Sequence, residues 1–188
     1  ALEQLKLIRH AIDSINKAID LEGENQLFKF SKAKLLILNG NLSEAKVILS
    51  QIQDANESSY VAELKARIAL VENRPNDAIK YFKIAFEARE TNFIIIKLAV
   101  AYMEARQEKQ AYTTLINWLK THPTDTFSKI ALADMYLKQG KLRESEKYYL
   151  AVLKEQPDNS YTLNNVAWLL VQKGGFQKAL VLSEKAYK

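Results

Sequence analysis

Ile130, Ala133, Tyr136 and Leu137 are apolar at three-and-four spacing, with the polar Asp134 and Lys138 beside them. That is the stripe one face of an amphipathic helix presents. After Gly140 the pattern resumes with Leu142, Ser145, Tyr149, Val152 and Leu153, and Pro157 then stops it. Residues 126–159 therefore predict two helices joined by a short turn.

The same unit recurs along the chain. A small residue precedes each turn at Ala33, Ala66, Ala99, Ala133 and Ala167, at intervals of 33, 33, 34 and 34. Another follows twelve positions later in every case, at Ala45, Ala78, Ala111, Ser145 and Ala179. Residues equidistant from a helix–helix turn face each other across an antiparallel pair. Small side chains at both points let the two axes approach to the short end of the usual range, about 8–10 Å.

The expected organisation is a single array over 1–188. Residues 1–25 form the closing helix of a partial repeat, since Ala11 lies 34 before Ala45 and Gly23 ends the segment. Repeats follow at 26–58, 59–91, 92–125 and 126–159, with a truncated last one at 160–188. A lone helical pair cannot bury its apolar face, whereas stacked pairs share a continuous core. The fold class is all-α, a solenoid of stacked antiparallel helix pairs. A piece of a longer array is expected, able to associate end to end through Val181, Leu182 and Ala186, which cannot all face inward.

Composition agrees: five Gly and three Pro in 188 residues disfavour an all-β fold with many tight turns. The net charge is +5, but the lysines are interleaved with Glu and Asp, which predicts solvated helix faces and no nucleic-acid surface. No apolar run is long enough for a transmembrane segment. The chain has no cysteine, so disulfides and thiolate chemistry are excluded. Two histidines, His10 and His122, stand apart, and no phosphate loop, H-x-x-x-H pair or nucleophile elbow is present. Neither an enzyme nor a bound cofactor or metal is expected.

The 34-residue period, the small residues at the eighth and twentieth positions and an aromatic or leucine at the twenty-fourth (Phe82, Leu115, Tyr149) resemble the tetratricopeptide repeat. So do Tyr102 and Tyr136, Ala18, Ala85 and Ala186, and the closing Pro123 and Pro157. The first two full repeats depart by being one residue short and lacking the closing proline, and Trp118 stands where a small residue is usual, which implies a local change of stacking angle. Helical repeats without a fixed consensus remain the alternative. The resemblance implies a right-handed superhelix whose first helices line a concave groove.

On that frame the candidate groove residues are Phe30, Lys34, Tyr60, Arg67, Phe93, Lys97, Phe127, Tyr161, Asn164, Asn165 and Trp168. An aromatic row with a polar centre suits an extended apolar or aromatic-rich peptide, or a helix, with Lys34, Arg67 and Lys97 biasing the early half positive. The opposing reading has the aromatics packed against neighbouring repeats as core. The carboxylate clamp known in this family is not matched, because Phe30, Lys34, Leu64 and Phe93 occupy its frame and only Lys97 has the suitable charge.

The segment TLNNVAWLLVQKGGFQKALVLSEKAYK also resembles one unit of large bacterial repeat lipoproteins of exopolysaccharide and PEP-CTERM protein-sorting systems. That resemblance implies a periplasmic or lipid-anchored envelope location, with the cytoplasm as the alternative. The expected function is a protein-binding scaffold in such an assembly. The competing one is a carbohydrate-binding module of an export system, with Trp168, Tyr161 and Asn164-Asn165 stacking on and hydrogen-bonding a polysaccharide.

Overall fold

The computed structural model describes residues 2–23, 25–52 and 59–187. Among them are eleven helices and no strand. The chain divides into two compact units, Ala1–Gln107 and Glu108–Lys188. The first holds α1 (Leu2–Glu22), α2 (Gln26–Leu38), α3 (Leu42–Ser50), α4 (Ser59–Val71), α5 (Pro75–Ala88) and α6 (Asn92–Glu104). The second holds α7 (Glu108–Thr121), α8 (Thr126–Lys138), α9 (Leu142–Glu155), α10 (Ser160–Gln172) and α11 (Phe176–Tyr187). The division falls between the two helices of the expected 92–125 repeat. None of these helices is long and apolar enough to cross a membrane.

One turn design ends α2, α4, α6, α8 and α10. The chain passes through a left-handed residue at Gly40, Asn73, Arg106, Gly140 and Gly174 in turn, with φ between 56° and 84°. The next amide then reaches back five residues: Asn41 to the Leu36 carbonyl, Arg74 to Ala69, Gln107 to Tyr102, Lys141 to Tyr136 and Gly175 to Leu170, at 2.8–2.9 Å. This closure satisfies a carbonyl that the helix end would leave unpaired, and glycine suits it because a Cβ is strained at positive φ. Asn73 and Arg106 carry the same turn without that freedom.

The starts of α2, α6, α8 and α10 are capped by side chains. Asn25 accepts from the Phe28 amide at 2.9 Å, Thr91 from Ile94 at 3.3 Å, and Asn159 from Thr162 at 2.9 Å. Asp125 accepts from both Phe127 and Ser128. Pro75 opens α5 at its first turn, where a missing N–H costs nothing. Pro123 and Pro157 lie in the turns after α7 and α9.

Small residues and aliphatics fill the interiors. In the first unit Ala33, Leu36, Ala45, Leu49, Leu64 and Ile68 belong to one buried cluster. Ala62, Ala85 and Ile94 form another. In the second unit Ala133, Tyr149, Val166 and Leu169 pack with Leu137, Leu142 and Leu153. Ala66, Ala78, Ala99, Ala111 and Ser145 are fully buried as well, and Ala167 and Ala179 nearly so.

Candidate functional site

The stripe that faces inward on α4 runs through Leu64 and Ile68, which leaves Tyr60, Glu63 and Arg67 on the neighbouring flank. Phe30 and Lys34 of α2, and Phe93 and Lys97 of α6, stand one helical turn apart on theirs. These flanks converge on one open cavity of about 350 Å³ in the first unit, lined also by Arg89 and Thr91. Six of the eleven candidate residues thus meet there. The remaining five, Phe127 on α8 and Tyr161, Asn164, Asn165 and Trp168 on α10, belong to the second unit.

The cavity's aromatics are only partly withdrawn from solvent. Tyr60 is 50% exposed and Phe93 62%, while Phe30 is half-buried. The edge of one ring meets the face of the other between Phe30 and Tyr60, with centroids 5.4 Å apart and planes at 73°. The guanidinium carbon of Arg89 lies 4.1 Å from the Tyr60 centroid, a cation over a π face.

Four basic side chains line the cavity against a single carboxylate, Glu63. One Glu63 oxygen accepts from Arg89 at 2.9 Å, and the other from Lys97 at 2.7 Å. Arg89 is further held by its Nε donating to Ser59 Oγ at 3.3 Å, and Ser59 in turn donates to the Ala85 carbonyl. Lys34 and Arg67 have no hydrogen-bond or ion-pair partner among the described residues.

In the second unit, Phe127 is 59%, Tyr161 52% and Trp168 48% exposed. Tyr161 and Trp168, seven residues apart, share one face of α10. The Tyr161 hydroxyl donates to Asp134 at 2.9 Å, and the buried Tyr149 donates to the other oxygen of the same carboxylate. Burial, and then the Asp134 bond, raise the Tyr161 phenol above its usual range. Asn165 donates to the Tyr161 carbonyl at 2.9 Å, and Asn164 is exposed.

Glu63 and Arg89 organise the first cavity, yet neither is among the residues singled out from the sequence. Glu63 occupies a groove-facing position, and its step of four to Arg67 and of three to Tyr60 was a usable signal. Arg89 lies beyond the end of α5, outside any first-helix frame, and no periodicity points to it. Trp118 also reaches the turn that follows α7. Its indole donates to Asp125 at 2.7 Å, and its ring stacks on His122 with centroids 3.6 Å apart. No group of three or more His, Asp or Glu side chains that could hold a metal occurs among the described residues.

Residues 130–188 match the tetratricopeptide repeat family. Two curated proteins are similar over most of the chain. The protein O-mannosyl-transferase Tmtc3 of Drosophila melanogaster is 26% identical over 137 residues, 72% of this chain and 15% of that protein. A TPR repeat-containing protein of Methanocaldococcus jannaschii is 25% identical over 155 residues, 77% of this chain and 27% of that protein. The chain thus spans well under a third of the curated relatives it matches.

Among solved structures, YrrB, described as a TPR protein with an unusual peptide-binding site, superposes with a TM-score of 0.57 at 20% identity. That match covers 93% of this chain and 91% of YrrB. A tetratricopeptide repeat protein of Parabacteroides merdae gives 0.69 at 16% identity, covering 96% and 72%. MamA gives 0.63 at 15% identity, covering 82% and 92%. The fold is that of tetratricopeptide repeat solenoids.

Proposed function

We propose that this tetratricopeptide-repeat fold serves as a non-enzymatic scaffold, and that the cavity formed by α2, α4 and α6 receives an extended peptide from a partner protein. The observation that carries the reading is the convergence of Phe30, Tyr60 and Phe93 with four cations on one open cavity. Half-exposed rings gathered at a concavity offer apolar area that a ligand can still cover. The family's general role as a protein-interaction scaffold supports the reading, as does the printed description of YrrB as carrying a peptide-binding site.

Placement in a bacterial envelope assembly is the finer form of the proposal. Its support is the LNNVAWLL sequence of α10. A second reading, a carbohydrate surface, draws on Tyr161 and Trp168, two exposed rings on one face of α10 with Asn164 between them. Exposed Leu180 and Val181 on α11 support self-association through that helix.

The test is a screen of the purified protein against an array of labelled decapeptides, repeated with Tyr60→Ala. Loss of an anchoring ring weakens captured peptides by about 2 kcal/mol or more, roughly thirtyfold. A captured set indifferent to Tyr60→Ala and Phe93→Ala removes the cavity as the binding site.

A further inference from the structure

The four cations of the first cavity are not equivalent. Arg89 and Lys97 each hold one oxygen of Glu63, at 2.9 and 2.7 Å, and Arg89 also lies over Tyr60. Their charge is already met from inside the protein, so an incoming anion would have to compete with Glu63 for them. Lys34, exposed on α2, and Arg67, half-buried on α4, line the same cavity with no such partner among the described residues. Two cations without a partner among the described residues, on adjacent elements, repel each other, and a bound anion turns that repulsion into attraction.

The walls decide what else the anion must bring. Phe30 stands one turn before Lys34, and Leu64 one turn before Arg67, with Tyr60 and Phe93 completing an apolar lining. A free inorganic anion leaves those surfaces wet, whereas a peptide with an aromatic or aliphatic side chain beside its acid covers them. The lining holds two neutral polar side chains, the Tyr60 phenol and Thr91, and the Thr91 oxygen already accepts the Ile94 amide. A C-terminal carboxylate would draw its own backbone amide into a cavity with few partners for it, at a desolvation cost. An Asp or Glu side chain reaches in on a methylene stem and leaves its amide outside.

We propose that this cavity selects an extended peptide segment in which an acidic side chain lies beside an aromatic or aliphatic one, with Lys34 and Arg67 receiving the carboxylate. The inference rests on the peptide-docking reading above and names the ligand class for that same site. Glu63 sets the division of labour: it neutralises the Arg89–Lys97 side and leaves the α2–α4 side as the anion seat.

The probe is an end-blocked nonapeptide library with one fixed phenylalanine and the other positions randomised, selected on the intact protein at low salt. Asp and Glu should be enriched near the phenylalanine in the bound pool. Single peptides from that pool should lose about tenfold in affinity when the acid is changed to its amide, with the difference shrinking as salt rises. Lys34→Glu with Arg67→Glu should replace the acidic preference by a basic one. Lys34→Glu alone, at the exposed position, keeps the test sound if the double variant folds poorly.

A bound pool without acidic enrichment, or an enrichment unchanged by Lys34→Glu, overturns the proposal while leaving peptide docking intact, as does binding that appears only with a free C-terminus. A library retained no better by the wild type than by Tyr60→Ala with Phe93→Ala overturns the docking reading and this one together.

Discussion

The buried phenol of Tyr149 donates its hydroxyl hydrogen to the carboxylate of Asp134. The other oxygen of that carboxylate holds Tyr161, half-exposed on α10, at 2.9 Å. One acid therefore ties a core ring to a surface ring, and the orientation of the surface ring is inherited from packing beneath it. Burial first, and then the Asp134 bond, push the Tyr149 phenol far above its ordinary range. In the unfolded chain a tyrosine ionises near pH ~10. The folded pKa is raised, so the stability gained from the protonated phenol is complete below that pH and drains away above it. Tyr149→Phe should cost about 1.5–3 kcal/mol near neutrality, because an ionised acceptor loses a donor. Above about pH 10 the wild type should then lose more stability in denaturant melts than the variant does. Equal alkaline losses would contradict this account.

Three buried hydroxyls in the second unit, those of Tyr112, Ser145 and Thr162, have no hydrogen-bond partner among the described residues. Ser145 stands at a position where three of the other four repeats bury an alanine completely, and Ala179 nearly so. A buried hydroxyl without a hydrogen bond carries a desolvation cost that an apolar replacement of similar shape removes. Ser145→Ala and Thr162→Val should each raise the unfolding free energy by about 1 kcal/mol, read from chemical denaturation. A loss of similar size in either variant would show that the hydroxyl is satisfied in solution.

Much of the architecture was legible because it is periodic. The small residues around each turn bracket Gly40, Asn73, Arg106, Gly140 and Gly174, where the left-handed residues fall. Those signals are local and repeat every 33 or 34 residues. Side-chain partnerships are not periodic and stayed hidden. Nothing in the spacing shows that Glu63 takes both Arg89 and Lys97, since 26 and 34 residues separate the partners. Trp118 was visible as a departure from a small position, but its bond to Asp125 depends on the course of the turn. The same holds for Asp134, which reads as one polar residue on an apolar helix until Tyr149 and Tyr161 close on it.

Asp125 should be a sensitive point for a related reason. It caps α8 by accepting from the Phe127 and Ser128 amides at 3.1 and 3.3 Å, takes the Ser128 hydroxyl at 2.6 Å, and receives the Trp118 indole at 2.7 Å. Losing an N-cap costs about 1 kcal/mol, and leaving a partly buried indole N–H unpaired adds about as much again. Asp125→Ala should therefore destabilise by about 2 kcal/mol in thermal or chemical melts. Asp125→Asn should fall between, because an amide oxygen still caps the helix while its NH2 group cannot accept the indole proton. Identical melting of Asn and Ala variants would mean the indole bond contributes nothing.

Ring truncation separates binding surface from core most directly. Phe82 is 1% exposed, whereas Phe93 is 62% and Trp168 48% exposed. A buried phenylalanine cut to alanine loses its transfer energy and leaves a cavity, about 3–5 kcal/mol together. A ring already half in water forfeits only the apolar area it still buries, about 1 kcal/mol. Phe82→Ala should therefore depress stability strongly, and Phe93→Ala and Trp168→Ala only slightly, in urea melts at one pH. The same variants discriminate between ligands. Phe93→Ala should weaken captured peptides by about 2 kcal/mol, while a carbohydrate surface on α10 would be impaired by Trp168→Ala alone, seen in titration with soluble polysaccharide. If Phe93→Ala instead costs as much stability as Phe82→Ala, the ring belongs to the core in solution, and the cavity it lines loses its claim to a partner.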